Sequence, residues 1–310
     1  MTLTPRHIDE IRKLLPGRVL TDIPLSRFTS FKIGGPADLI AEPDRVEKLA
    51  ELLRYLHDEG IPRIVLGSGT NVLFRDEGVR GVVVRTGSLT GIEVHANGSD
   101  EAAIVVAAGD PLPLVVSRAC KEGWSGLEDL WGIPGSFGGA VATNAGTAGI
   151  SVADRLISLR LLTDRGEEMV LAREDLEYGY RRLTLPRDAV VVEGMVNLRR
   201  GDRDAIETAV EQARARRRGQ QPSDRPSAGC VFKNPSPENP AGAIIDRLGF
   251  KGSTVGDAQV SPVHANFIVN LGNARARDVL ELIETIRSAV KEKEHIDLEL
   301  EIRVLGGGRP

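Results

Sequence analysis

The chain has little with which to staple or anchor itself. Only two cysteines, Cys120 and Cys230, stand among 310 residues. That is too few for a disulfide scaffold, and it fits a reducing compartment. The five histidines, His7, His57, His95, His264 and His295, are scattered without metal-ligand spacing, so no metal site is expected. No apolar run reaches membrane-spanning length, and Met1 to Glu10 lacks the basic-then-apolar pattern of a signal peptide. The expectation is a cytoplasmic protein without a membrane partner. A net charge of -4 gives no field to draw nucleic acid or an anionic surface. No Gly-x-x-x-x-Gly-Lys-Ser/Thr loop is present, and no strand-linked Gly-x-Gly-x-x-Gly opens a helix. Walker and Rossmann grips on a nucleotide are therefore excluded.

What is present is glycine in clusters. Gly132-Ile133-Pro134-Gly135-Ser136-Phe137-Gly138-Gly139-Ala140 closes in Asn144-Ala145-Gly146, and Gly67-Ser68-Gly69-Thr70-Asn71 follows the apolar run Ile64-Val65-Leu66. Two small-residue loops suit a large cofactor whose phosphates and rings rest on backbone N–H groups. Glycine clusters also mark tight turns, and either loop alone would favour that reading. The remaining composition, 41% hydrophobic and 27% charged, is that of an ordinary soluble protein long enough for two or three domains.

The elements alternate in texture along the chain. Asp44 is the expected N-cap of a helix to about His57, with Val46, Leu49, Leu52, Leu53 and Leu56 on one face. Short strands are expected at Ile64–Leu66 and Gly81–Arg85. A strand-rich block follows, with Ile92–Val94, Ala103–Ala107, Leu156–Leu162 and Ala189–Val192 around one helix, Leu112–Lys121. Beyond it come a helix over Arg203–Arg217 and a helix to about Leu248 capped by Asn239 with Pro240 at its first position. A strand Phe267–Asn270, a helix Arg277–Glu294 and an alternating strand Leu298–Leu305 complete the chain. The basic run Arg214–Arg218 ends a helix, where the dipole favours cations, and reads as a solvated helix end. The expected fold is α+β in three parts, 1–85, 86–200 and 201–310.

Three clusters could carry chemistry. Tyr178-Gly179-Tyr180-Arg181-Arg182 sets phenols beside guanidiniums, whose planar fork suits a carboxylate or phosphate, or else forms a surface turn. Ser227-Ala228-Gly229-Cys230-Val231-Phe232-Lys233-Asn234-Pro235 brings a thiol close to the main chain. A thiol with a reference pKa of about 8.5 is protonated at neutral pH and can act as an acid, although a lone cysteine also serves as a small buried hydrophobe. Glu299 and Glu301 should share one side of the last strand, as a solvated face or with a glutamate aimed into a cleft. His264, in Val263-His264-Ala265-Asn266, is either a ligand contact or a hydrogen-bonded structural residue.

Taken in order, these residues resemble the UDP-N-acetylenolpyruvoylglucosamine reductases. The resemblance runs from Thr29-Ser30-Phe31-Lys32-Ile33-Gly34-Gly35 almost to the C-terminus, through Leu66–Leu73, Gly132-Ile133-Pro134-Gly135, Tyr180-Arg181, Ala228–Pro235 and Ala265-Asn266-Phe267. It implies an FAD-binding fold of the vanillyl-alcohol-oxidase type in two lobes, plus a C-terminal substrate lobe. It implies FAD held without a covalent bond, NADPH as co-substrate, and hydride passed to the enolpyruvyl methylene carbon of UDP-N-acetylglucosamine enolpyruvate, giving UDP-N-acetylmuramate for peptidoglycan. A monomer is expected. By matching, Arg181, Cys230 and Glu301 are the catalytic residues, with Cys230 the proton donor. Gly67, Ser68, Gly69, Thr70, Asn71, Gly132, Ile133, Gly135, Ser136, Asn144 and Ala145 fall to the cofactor, and Tyr180, Lys233, Asn234 and His264 to the substrate. The short span from Leu248 to Ala265 resembles the subclass without an inserted tyrosine-bearing loop.

The chain departs from the pattern at four places. Cys230 stands where many relatives carry serine, Leu183 replaces a serine after the Tyr-Arg pair, Leu300 replaces a proline between glutamates, and Thr147-Ala148 stands where Ala-Tyr is usual. Two other readings compete. An oxygen-reacting FAD oxidase of the same superfamily often tethers its flavin through His or Cys, and 67–73 contains neither. A flavin- or nucleotide-binding regulator would have no need of Arg181, Cys230 and Glu301 together.

Overall fold

The computed structural model describes residues 3–147, 149–217, 219, 221–222 and 224–307. Arg218 of the basic run and Ala148 of the Thr147-Ala148 pair lie outside the described residues. The chain forms two compact units. The first comprises residues 1–21, 39–68 and 81–216, the second 22–38, 69–80 and 217–310.

Unit 1 contains two cores. Helices α1 (Pro5–Leu14) and α2 (Val46–Asp58) bury Ile11, Leu49, Leu52, Leu53 and Leu56 with Leu39, Val82 and Val84. The sheet beneath them has the strand order Val19–Pro24, Pro36–Ala41, Val79–Arg85, Arg63–Leu66, the last two parallel. The apolar spacing expected for α2 is present, but its cap is different. Arg45 occupies the N-cap without a side-chain bond, because the Asp44 carboxylate is drawn 3.0 Å from Arg18 instead.

The second core of unit 1 lies under a six-stranded antiparallel sheet. Its order is Glu168–Ala172, Leu156–Leu162, Val190–Arg200, Glu101–Ala107, Ile92–Asn97, with Trp124–Ser125 added to Val190–Arg200. Two helices, α3 (Leu112–Lys121) and α4 (Phe137–Ala142), pack Leu112, Val115, Val116, Phe137 and Val141 into it. Helix α5 (Arg203–Arg217) has the expected bounds, and all but its last residue belongs to this unit. Its final turn is not simply solvated: Arg216 pairs with Asp129 at 2.7 Å, and the Arg214 guanidinium lies 5.3 Å from the Trp131 ring centre.

Unit 2 is built on a four-stranded antiparallel sheet, Ser227–Cys230, Phe267–Asn270, Ala258–Val260, Thr254–Val255. Helices α6 (Ala241–Arg247) and α7 (Ala276–Glu294) cover it, and the core recruits Phe31, Ile33 and Leu73 from early in the chain. Each such buried side chain contributes about 1.5–3 kcal/mol relative to exposure. Two expectations change here. The α6 N-terminus is Pro240, not Asn239, and its first N–H, from Ala241, goes to Asn234 Oδ1 at 3.0 Å. The alternating run 298–305 is a strand only at Arg303–Leu305, paired in parallel with Val72–Phe74. Upstream, Leu300 makes a single bridge to Phe232, so Glu299 and Glu301 do not share a regular strand face. No described helix is long and apolar enough to cross a membrane.

Candidate active site

Within unit 1 the two glycine loops meet. A Cβ on Gly67 would lie 2.3 Å from the Ser136 Oγ, so only glycine allows this approach. Ser136 is buried and caps α4 by accepting the Gly139 N–H at 3.4 Å. The first amides of α4 are already engaged: Phe137 N–H donates to Asp110 O at 2.8 Å and Gly138 N–H to Ala108 O at 2.9 Å. Gly138 itself answers to packing, since a Cβ there would sit 2.7 Å from the Ala108 Cβ. Asp110 carries a buried carboxyl that accepts the Gly91 N–H at 2.7 Å. Burial pushes its pKa up against the pull of backbone donors.

The far end of the long glycine run is a helix C-terminus. Thr143 is the C-cap, Asn144 takes the left-handed conformation (φ 43), and two bonds close the motif: Asn144 N–H to Val141 O at 3.0 Å and Ala145 N–H to Ala140 O at 2.8 Å. This is the Schellman arrangement, in which the residue after the cap must tolerate positive φ. The Ala145 carbonyl accepts the Val152 N–H at 2.9 Å.

Unit 1 also carries the hairpin Tyr178–Gly179 and Arg182–Leu183, with Tyr180 and Arg181 at its tip. Arg181 adopts φ 52, and its guanidinium lies 5.2 Å from the Tyr180 ring centre. Leu183, the departure from a usual serine, is buried in the unit's core and anchors the returning strand. The Tyr178 hydroxyl bonds Arg173, whose guanidinium also stacks 4.5 Å from the Tyr178 ring centre. Asp154 joins this group. Burial pushes its carboxyl up, but bonds from Ser151 and Tyr178 and the charge of Arg173 outweigh that and leave its pKa below the usual range.

In unit 2 a cleft of about 300 Å³ is lined by Cys230, Asn234, Asp246, Lys251, His264 and Asn266, among others. It gathers three of the predicted residues: Cys230, Asn234 and His264. Cys230 ends its strand after a bulge, with Gly229 at φ 80 re-aiming the chain. The residue that organises this segment, Asn266, went unassigned in the sequence. It is buried, its Oδ1 accepts the Phe232 N–H at 2.9 Å, its Nδ2 donates to Phe232 O at 2.8 Å, and its carbonyl accepts the Val231 N–H at 2.8 Å. Ala265 and Asn266 form a turn ahead of the strand Phe267–Asn270, and no pattern in the sequence marks the asparagine's role. His264 accepts the Asn266 N–H on Nδ1 at 3.1 Å, which places the proton of the neutral ring on Nε2. Burial pushes the His264 pKa down, and nearby Lys251 adds to the effect.

Glu301 enters the same segment through its main chain. Its N–H donates to Val231 O at 2.8 Å, and its carbonyl accepts the Asn71 Nδ2 at 3.1 Å. Lys233 is held by Glu299, with Nζ 3.1 Å from Oε2. Gly69 and Asn71 turn their carbonyls inward, to Ser30 N–H at 3.0 Å and Arg303 N–H at 3.0 Å. The second cysteine, Cys120, lies on α3 in unit 1 packed against that unit's core, and burial pushes its thiol up to about 11.

Residues 221–305 match the family described as UDP-N-acetylenolpyruvoylglucosamine reductase, C-terminal domain, and residues 37–172 match an FAD binding domain. The UDP-N-acetylenolpyruvoylglucosamine reductase of Syntrophus aciditrophicus is 41% identical over 96% of this chain and 95% of its own. The chain belongs to the UDP-N-acetylenolpyruvoylglucosamine reductase family. The reductase of Bacillus velezensis is 38% identical over 97% of this chain and 99% of its own. The crystal structure of a reductase of this family from Thermus caldophilus superposes with a TM-score of 0.79 at 38% identity, covering 92% of this chain and 98% of that one.

This family member is an FAD-dependent oxidoreductase with an FAD-binding fold of mixed α and β structure. The loop residues of unit 1 fit the cofactor. Gly67, Gly132, Ile133 and Gly135 are partly exposed and Ser68 and Gly139 exposed, and all but Ile133 have no side chain beyond a hydroxymethyl. A flat or anionic group can lie directly against such main chain.

Proposed function

We propose that the chain reduces UDP-N-acetylglucosamine enolpyruvate to UDP-N-acetylmuramate, a step in peptidoglycan precursor synthesis, with NADPH as co-substrate. The observation that carries this reading is the similarity to reductases of that name over 96% of the chain; the roles given to Arg181, Cys230 and Glu301 are carried over from the resemblance of their sequence motifs. Residues 1–85 and 86–200 serve the cofactor and 201–310 the sugar nucleotide. Gly67 to Asn71, with Gly132, Ile133, Gly135, Ser136, Asn144 and Ala145, form the cofactor loops. When bound, FAD relays a hydride from the nicotinamide to the enolpyruvyl methylene carbon.

The roles of the side chains follow from their chemistry. Addition at the methylene pushes negative charge into the enolpyruvyl carboxylate. The Arg181 fork stabilises that charge as it develops, and a fixed donor of this kind acts in the transition state. The Cys230 thiol holds the proton that the neighbouring carbon takes up; with the proton transferred, the sulfur is left as thiolate and is reprotonated from solvent. Glu301 orients that transfer, its backbone being tied to the residue after Cys230. Asn234, His264, Lys233 and Tyr180 hold the remainder of the substrate. Residues 249–264 contain a tight turn and a short hairpin, in keeping with the subclass that lacks an inserted tyrosine loop.

The test uses the purified protein. A yellow preparation that oxidises NADPH only when the enolpyruvyl sugar nucleotide is added, without forming peroxide, supports the reading. Peroxide formation would make it an oxidase. A colourless preparation that FAD cannot reconstitute would sink the proposal. Cys230→Ala should leave flavin reduction by NADPH nearly intact and slow reoxidation by substrate by about 10²–10⁴-fold, and wild-type turnover would assign the proton to another group.

A further inference from the structure

The side chain of Asn144 has both ends occupied by main chain. Its Nδ2 donates to the Gly179 carbonyl at 2.8 Å, and its Oδ1 accepts the Ala153 N–H at 3.0 Å. The residue is 2% exposed, so these bonds are shielded from water. Gly179 precedes the hairpin tip that carries Tyr180 and Arg181, and Asn144 ends the helix that Ser136 begins. We infer that Asn144 is a positioning residue for Arg181, linking the end of the glycine run to the hairpin that presents the guanidinium. This rests on the catalytic role proposed above for Arg181.

The choice of residue type supports the assignment. At φ 43 the helix cap alone calls for glycine, the usual occupant, and asparagine is the side chain that best tolerates the same conformation. Asparagine adds what glycine lacks, an amide donor and acceptor on one short stem. The hairpin needs such a tether. Each of its strands is two residues long, closed upstream by Thr184 N–H to Glu177 O at 2.8 Å. Two-stranded ribbons of this size do not hold themselves in water. Arg173 and Asp154 grip Tyr178 from one side, Leu183 is sunk in the core, and Asn144 fixes Gly179 at the point where the chain turns. An Arg at φ 52 is itself in a conformation that side chains avoid, and it persists where the flanks are held.

Asn144→Gly separates the two duties, because it keeps the left-handed cap and removes the tether. In the flavin-loaded variant, hydrogen exchange of peptides covering 178–184 should quicken by about tenfold or more, while peptides covering 137–143 change by less than about twofold. In single-turnover measurements, reoxidation by the enolpyruvyl substrate should fall at least about tenfold further than reduction by NADPH. The steady-state loss should appear in kcat more than in KM, as expected for a group acting in the transition state. Asn144→Asp, which sets a carboxylate against the Gly179 carbonyl, should loosen the hairpin at least as much. Wild-type exchange at 178–184 in Asn144→Gly overturns the inference. Equal loss in both half-reactions overturns it as well, because Asn144 would then act only through the cofactor loop it ends and not through the hairpin. If the wild-type protein does not turn over the enolpyruvyl substrate, the functional reading fails, while the exchange comparison still decides whether Asn144 holds the hairpin.

Discussion

Asp76 caps the helix that begins at Ala276, 200 positions further along the sequence. Its Oδ1 accepts the Ala276 N–H at 2.9 Å and its Oδ2 the Arg277 N–H at 3.1 Å. A carboxylate so placed satisfies two orphan donors and faces the positive end of the α7 dipole. Asp76→Ala should lower stability by about 1–2 kcal/mol, and Asp76→Asn by roughly half as much. Chemical denaturation of the two variants checks both values; an alanine variant indistinguishable from wild type would show that water replaces the cap.

The contact of Gly67 with Ser136 predicts a non-additive pair. Gly67→Ala forces the Ser136 hydroxyl from its place, since the new methyl would lie 2.3 Å from it but 3.6 Å from the Ser136 Cβ. The single variant should cost about 1–3 kcal/mol. Gly67→Ala combined with Ser136→Ala should recover most of what the sum of the single losses predicts. A double-mutant cycle with no coupling would show that the two loops adjust independently.

For Arg181, backbone and side chain can be tested apart. Glycine accepts φ 52 without strain and alanine pays roughly 1 kcal/mol there. Arg181→Gly should therefore be the more stable of the two variants by about that amount. Both should lose on the order of 10²–10³ in turnover with the enolpyruvyl substrate, and Arg181→Lys should lie between them and wild type because it keeps charge without the fork. Equal stability of the glycine and alanine variants would remove the strain argument.

His264 gives a pH dependence with a definite sign. Burial holds its pKa below the ordinary 6.5 in the folded protein. The unfolded chain takes up that proton near 6.5, and the folded chain only at lower pH. The stability associated with neutral His264 is thus complete above 6.5 and falls as the pH drops below it. His264→Gln, which keeps an acceptor for the Asn266 N–H, should be free of this loss. The stability advantage of wild type over the variant should shrink between about pH 7 and about pH 5, and a constant difference would show that the ring is not desolvated.

The elements that were legible in the sequence are those decided by local composition. Leu112–Lys121, Leu156–Leu162, Arg203–Arg217 and Phe267–Asn270 have the expected bounds because residues of helix or strand character run unbroken through each. What was illegible depends on partners far along the chain. Asp44 has the right side chain to cap α2 but Arg18 claims it, and Asn234 takes the cap expected from Asn239. The alternating run 298–305 breaks where Glu301 turns its N–H to Val231. The same limit applies to the site: the glycine loops were plain, whereas the tethers Asn144 and Asn266, defined only by the carbonyls they reach, carried no pattern of their own.

The membership of unit 2 has a consequence for dissection of the gene. Residues 217–310 look like a self-contained C-terminal piece, but the unit also owns 22–38 and 69–80. A fragment starting at 217 would lack Phe31, Ile33 and Leu73 from its interior, the strand partner Val72–Phe74, and the Asp76 cap. Such a fragment should express as an unfolded or aggregated polypeptide. Shuffling the C-terminal third between relatives should succeed only when the two early segments travel with it, so the part inherited together is discontinuous in the gene.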